Sequence, residues 1–388
     1  MPDLDVTVIG GGIVGCAVAA EAAGRGWTTA LLERATRLGT GCTARNSEVA
    51  HGGMYYPEGS LKARMCAPGR RLLRRICSEA GLPWRECGKL ILAVTDDETA
   101  ELARLHALGL ANGVEDLRLV GRRELARLEP EVRAVAALLS PRTSVFAAEE
   151  TARALGRLAV ERGASILTSA EVVGLAREEG GWTVCVEPAA GAVGEAWRHT
   201  SRFVVNAAGL FSDRVARLAG CDVDALGWRL QWVKGNYFSV APHHAGRVGR
   251  LLYPCPPSDG SLGIHVCVDV AGQLRLGPDM EPLGASPNGA PPAGGAVARE
   301  DYAVDAARRT GFLASAARYL SFLDESDLEP AWAGIRPRRR AAGFADFVVA
   351  CEADERAGLV NLIGIDSPGL TSAPALARHV GDLLAEVA

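Results

Sequence analysis

The first apolar run, residues 5–9 (DVTVI), is strand-sized and stops at once on Gly10, Gly11 and Gly12. IVGCAVAAEAAGRG then reads as an apolar helix, and TTALL, ending on Glu33-Arg34, as a second strand. Residues 39–60 carry no period at all. They are polar and glycine-rich, and a structureless stretch of that length inside a domain is more often functional than connecting. Helical spacing returns over 60–80 and 97–112, the latter ending at the cap signal Asn112-Gly113. KLILAV (89–94) between them reads as a strand. Residues 151–162 form a helix with Gly163 past its end, followed by short strands at 165–167, 171–176 and 181–187. RFVVNAAGLFSD (202–213) repeats the strand, tight turn and helix start of the N-terminus. Further strands fall near 229–240, 262–268 and 273–277, a Pro/Gly/Ala-rich surface loop at 282–298, and a helix at 304–323. The chain closes with strand LVNLIG (359–364), the turn IDSPG and a helix with Leu370, Ala373, Leu376, Val380, Leu383 and Val387 on one face.

The opening unit carries the clearest chemistry. Gly10-x-Gly12-x-x-Gly15 lies between strand and helix, with Ile13 and Val14 inside it and Glu33 ending the next strand. The first glycine makes the turn, the second admits a pyrophosphate to the backbone, and the third lets helix and strand pack closely. The helix start offers unpaired N–H groups to phosphate, and Glu33, with Arg34 beside it, is placed at a ribose diol. The motif predicts a dinucleotide without choosing between FAD and NAD. A nicotinamide domain is usually contiguous, whereas here the nucleotide signals recur near 205 and 365. Dispersal predicts a flavin domain assembled from separate segments.

The expected fold is therefore α/β: a Rossmann-like FAD-binding domain built from discontinuous segments (1–80, 142–225 and 330–388) plus a mixed α+β substrate-binding domain (81–141 and 226–329) with an antiparallel sheet. Composition adds little against this. A net charge of −4 gives no reason to expect nucleic acid. The ten cysteines never form CxxC, no Cys/His spacing suggests a metal, and most sit in apolar runs as buried thiols of a reducing compartment. No signal peptide or integral membrane segment is read, so the expected location is cytoplasmic, with peripheral contact at the inner face of a membrane left open.

Several blocks carry a family resemblance: NSEVAHGGMYYPEGSLKARMC (46–66), CGKLILAV (87–94), QWVKGNYFSV (231–240), GIHVCVDVAGQLRLGPD (263–279), GIRP (334–337) and GLVNLIGIDSPGLTS (358–372). Together they resemble the L-2-hydroxyglutarate dehydrogenases/oxidases of the D-amino-acid-oxidase-like FAD superfamily, with glycerol-3-phosphate dehydrogenases as cousins. The resemblance implies a two-domain flavoprotein that oxidises a 2-hydroxy acid, in the simplest case L-2-hydroxyglutarate to 2-oxoglutarate, by hydride transfer to flavin N5. Oxygen or a quinone is the expected electron acceptor, with another flavoprotein left open. An amino-acid or amine oxidase of the same fold is the alternative. It also implies a cofactor set: Asn46 and Ser47 on the flavin side, Val173 at adenine, Ala207, Ala208 and Gly209 under the nucleotide, and Ser367, Gly369, Leu370 and Thr371 at the final helix start. Gly334 is expected to let the backbone pass closely. One departure stands out. Where the family has Gly-Ile-Val-Asp, this chain has Ser144-Val145-Phe146-Ala147, and the missing acid casts doubt on the substrate.

The reaction needs a base for the hydroxyl proton and a fixed cation for the carboxylate. His51, in a glycine-flanked loop beside Tyr55 and Tyr56, is the first candidate base, and His265 the second. Arg336 offers a planar fork for a carboxylate. Lys234 is expected to serve a second carboxylate or the flavin, and Tyr253 to line the pocket. His243-His244 read as solvated.

Overall fold

A computed structural model describes residues 1–256, 263–283, 300–352 and 356–387. Most of the 282–298 loop lies outside the described residues.

Two large sheets organise the described residues. The first has eight strands. Its parallel core orders Ser165–Thr168, Thr29–Glu33, Leu4–Ile9, Trp197–Asn206 and Leu359–Ile363 side by side. These strands are apolar on both faces because helices cover them, the usual condition of a parallel sheet. Helix Ile13–Gly24 is buried nearly all round, packed by Ala148–Glu161 and by Gly369–Glu386. Close packing depends on glycine at two points. A Cβ on Gly15 would stand 1.8 Å from the Gly10 carbonyl oxygen, and one on Gly69 2.3 Å from that of Thr371. The carboxyl ends of the parallel strands align, with Ile9 in register with Leu32 and Asn206, and Asn206 with Asn361. Ligands of open parallel sheets bind beyond that edge.

The second sheet has nine strands and is antiparallel except where Leu251–Pro254 runs parallel to Lys89–Ala93. Its longest pairing joins Leu230–Val240 to Leu328–Arg339, with Val233 opposite Arg336. The segment 330–339, expected with the nucleotide segments, thus hydrogen-bonds into the second sheet, and the chain returns to the first sheet only afterwards, at Val348–Cys351.

Three smaller differences have local causes. The helix expected over 304–323 is Arg309–Ala317, cut short as Leu320 forms a bridge to Val132. His265 precedes strand Val266–Val268 rather than lying in it. His244 is buried, with Nε2 3.0 Å from Asp327, while its neighbour His243 is exposed.

Candidate active site

One cavity of about 1100 Å³ runs along the carboxyl edge of the parallel strands and ends against the second sheet. That exceeds the roughly 300–1,000 Å³ of ordinary small-molecule pockets. The aperiodic stretch 39–60 forms much of its wall through Thr40, Cys42, Thr43, Arg45, Asn46, Ser47 and His51.

At one end, Gly10, Gly12, Ile13, Val14, Glu33, Arg34, Val173, Ala207, Ala208 and Gly209 line the cavity. Gly15 does not; it serves the packing contact described above. Both Glu33 oxygens are engaged, accepting from the Gly11 N–H at 2.5 Å and the Ala35 N–H at 2.7 Å, so the carboxylate braces the turn. The Ile13 N–H at the helix start donates to the Thr43 hydroxyl at 3.0 Å, a partner that sequence reasoning missed. A Cβ on Gly12 would meet only that hydroxyl, 3.3 Å away. Arg34 pairs with Glu300 at 2.7 Å and lies over the Phe211 ring.

At the other end, His51, Tyr55, Tyr56, Tyr253, His265, Arg336, Ser367, Gly369 and Leu370 line the wall together. Asn46 and Ser47 also reach it, but the Asn46 amide donates to the carbonyls of Cys42 and Thr43, and Ser47 shares a hydrogen bond of 2.9 Å with Tyr237. Tyr237, also in the wall and stacked on Trp332, is a second residue that the sequence did not reveal.

His51 is held from two sides. Its backbone N–H donates to Thr371 Oγ1 at 3.0 Å, and its Nε2 is 3.4 Å from Ser367 Oγ. Nδ1 is buried and has no hydrogen-bond partner among the described residues. Burial first, then the neighbouring Lys89 and His265, hold the imidazole well below the ordinary value of 6.5, so at neutral pH it is uncharged and free to accept a proton.

Among the cavity cations, Lys62 is paired with Asp366 at 2.6 Å and Arg104 with Glu101 at 2.7 Å. Arg336 has no carboxylate partner among the described residues, and its guanidinium donates to the Asp279 carbonyl oxygen at 3.3 Å. Its planar fork is therefore available to a ligand carboxylate.

Besides Gly15, three expected site residues stand elsewhere. Lys234 does not line the cavity; its ammonium is bound to Asp301 at 2.8 Å. On its strand it alternates with Val233, which is in register with Arg336, so the two cations leave the paired strands on opposite faces. Gly334 is needed for the Arg45 carbonyl, from which a Cβ would be 1.9 Å away, and not as cavity wall. Thr371 is fully buried, fastening the His51 loop. Ala147 does not line the cavity either and is the N-cap of helix Ala148–Glu161.

Lys89, which the sequence reading passed over as part of an apolar strand, lies fully buried beside this end of the cavity. Its Nζ is 4.6 Å from the Tyr55 ring centre and 4.7 Å from that of Tyr253. A lysine opening an otherwise apolar buried strand was the available signal, because such a charge is rarely buried without purpose.

The comparisons agree with this geometry. The model of the family described as FAD dependent oxidoreductase matches residues 5–383. A mitochondrial L-2-hydroxyglutarate dehydrogenase of Arabidopsis thaliana is 35% identical, with 98% of this chain and 83% of that protein covered. A glycerol 3-phosphate dehydrogenase of Caloramator mitchellensis is 28% identical, over 99% of this chain and 74% of that one. Among solved structures, an FAD-bound L-alpha-glycerophosphate oxidase from Mycoplasma pneumoniae superposes with a TM-score of 0.83 at 23% identity, covering 98% of this chain and 94% of that one.

Proposed function

The chain belongs to the FAD-dependent oxidoreductase family, and from that premise we propose that it oxidises an L-2-hydroxy acid, most simply L-2-hydroxyglutarate to 2-oxoglutarate. The observation that carries this reading is the pairing, in one wall, of a neutral imidazole at His51 with an Arg336 guanidinium that has no carboxylate partner among the described residues. The activity named for the Arabidopsis relative supports it.

The residues present fit an extended FAD. The open backbone at Gly12, the helix start at Ile13 and the small residues Ala207 and Ala208 suit the pyrophosphate and nucleotide, with Glu33, Arg34 and Val173 at the adenosine end. Asn46, Ser47, Ser367, Gly369 and Leu370 would flank the flavin end, where the start of helix Gly369–Glu386 favours negative charge. When bound there, FAD supplies the hydride acceptor. Arg336 grips the substrate carboxylate and fixes the orientation of the neighbouring carbinol carbon. His51 takes the hydroxyl proton, which a neutral imidazole does without first losing one of its own. Tyr253 and His265, stacked at 3.5 Å, close the wall behind the substrate.

Oxygen or a quinone is the acceptor we assign, and the cytoplasm the location. No helix among the described residues is long and apolar enough to cross a membrane. The test is a substrate panel. L-2-hydroxyglutarate, other 2-hydroxy acids, amino acids and glycerol 3-phosphate are mixed anaerobically with the yellow protein, and flavin bleaching is read with the product identified. L-2-hydroxy acids should bleach it fastest. Bleaching by amino acids or glycerol 3-phosphate alone would replace this reading with that of another oxidase of the same fold.

A further inference from the structure

We propose that Lys89 is the second anion-binding group of the site, receiving one carboxylate of a dicarboxylic hydroxy acid whose other carboxylate is held by Arg336. This rests on the hydroxy-acid reading above and extends it to the substrate class.

The Lys89 side chain is wholly buried, and its Nζ has no hydrogen-bond partner among the described residues. Only aromatic faces accompany it, Tyr55 on one side and Tyr253 on the other. Cation–π contact replaces part of the hydration an ammonium loses on burial but none of its three hydrogen bonds. Among the described residues, the titratable groups facing it give no anion. From the aperiodic loop it meets His51 and Tyr55, from helix Leu61–Glu79 Cys66, and from the second sheet Tyr253 and Cys267, with His265 behind Tyr253. Burial pushes both thiols up to about 12, so they stay neutral. A buried, unmatched cation in this position destabilises the protein unless a ligand completes it.

The same place is where a ligand would come. Both rings that enclose Nζ are cavity wall, as are His51 and His265. Tyr55 is only partly buried, and its rotation would open the ammonium to the cavity. Burial lowers the Lys89 ammonium to about 7, so a carboxylate arriving there recharges it by drawing a proton from solvent. That proton uptake separates a ligand contact from a structural lysine.

The experiment measures binding of 2-oxoglutarate and of the monocarboxylate pyruvate to the FAD-loaded protein, by flavin absorbance perturbation and by calorimetry at pH 8 in buffers of different ionisation enthalpy. Wild type should take up a proton on binding 2-oxoglutarate. Lys89→Met should take up none, weaken 2-oxoglutarate at least tenfold and leave pyruvate within about threefold, while Lys89→Arg keeps part of the affinity. Lys89→Met should also raise the melting temperature, because burial disfavours the charged form that the lysine keeps in the unfolded chain. Equal binding of 2-oxoglutarate by wild type and Lys89→Met overturns the inference alone. So does a fall in melting temperature with equal loss of both acids, which marks a structural lysine. If wild type binds neither acid, the hydroxy-acid reading itself fails and the dicarboxylate assignment falls with it.

Discussion

The Thr371 hydroxyl accepts the His51 backbone N–H at 3.0 Å and donates to the Val49 carbonyl at 3.2 Å. One side chain on the last helix thus fixes both ends of a three-residue span in the N-terminal loop. The candidate base is held by the same helix whose start forms part of the flavin end of the cavity.

Thr371→Val keeps the shape and removes the clamp. It leaves a buried N–H and a buried carbonyl unmatched, at a cost of about 1–3 kcal/mol. Thermal unfolding should show the loss, and flavin reduction should slow with the cofactor still bound. A variant with wild-type melting temperature and rate would show that His51 needs no such anchor.

Ala147 occupies a helix N-cap in extended backbone, with no side-chain cap. An acid at this position would be placed to cap the helix, and the residue does not line the cavity. Ala147→Asp should stabilise the protein by about 0.5–2 kcal/mol in denaturant unfolding. Its order of preference among substrates should not move. A changed preference would return the position to the substrate pocket.

Lys234 was the expected partner of a distal carboxylate, and the structure assigns it to Asp301. Because Asp301 is half-exposed, Lys234→Met leaves no buried unmatched acid. KM for dicarboxylates and for monocarboxylates should both stay within about threefold of wild type. A selective rise for dicarboxylates would restore the original assignment.

The pH dependence has a definite sign. His51 is depressed by burial, so its neutral form persists through neutral pH and the rate of flavin reduction falls only on the acid side, below the ordinary histidine value of 6.5. Unfolded chains take up that proton near 6.5 and the folded one does not, so this contribution to stability is lost as pH drops below 6.5. For Lys89 the window is higher: stability should climb as pH rises from about 7 towards 10.5. Melting temperatures across these ranges check both, and His51→Asn should flatten only the acid limb.

Much of the cofactor end was legible because backbone geometry there dictates residue type. Only glycine tolerates the approach at Gly15, and the aperiodic stretch 39–60 announced itself by lacking a core face. Arg336 and His51 were singled out from the chemistry that a hydroxy acid demands, and the structure places both in one cavity wall. Lys234 and Lys89 show where the sequence falls short. Both are lysines in apolar strands, and the pattern alone cannot say which one meets a carboxylate. That depended on Asp301, distant in sequence, and on two tyrosines from separate elements closing over Lys89. Gly334 was expected at a close approach, but its neighbour Arg45 was not legible, since only the fold brings the two together. The segment 330–339 was grouped with the nucleotide segments, and its pairing with Leu230–Val240 was not legible because a strand's pattern does not reveal which sheet will take it.

Anaerobic stopped-flow reduction of the flavin by L-2-hydroxyglutarate, in wild type and in His51→Asn, tests the central claim most directly. Wild type should bleach in a single saturable phase. The variant should saturate at a similar concentration and reduce about 10²–10⁴-fold more slowly, the usual cost of losing a general base. A wild-type flavin that stays oxidised, or a variant that reduces at nearly the wild-type rate, would contradict the account.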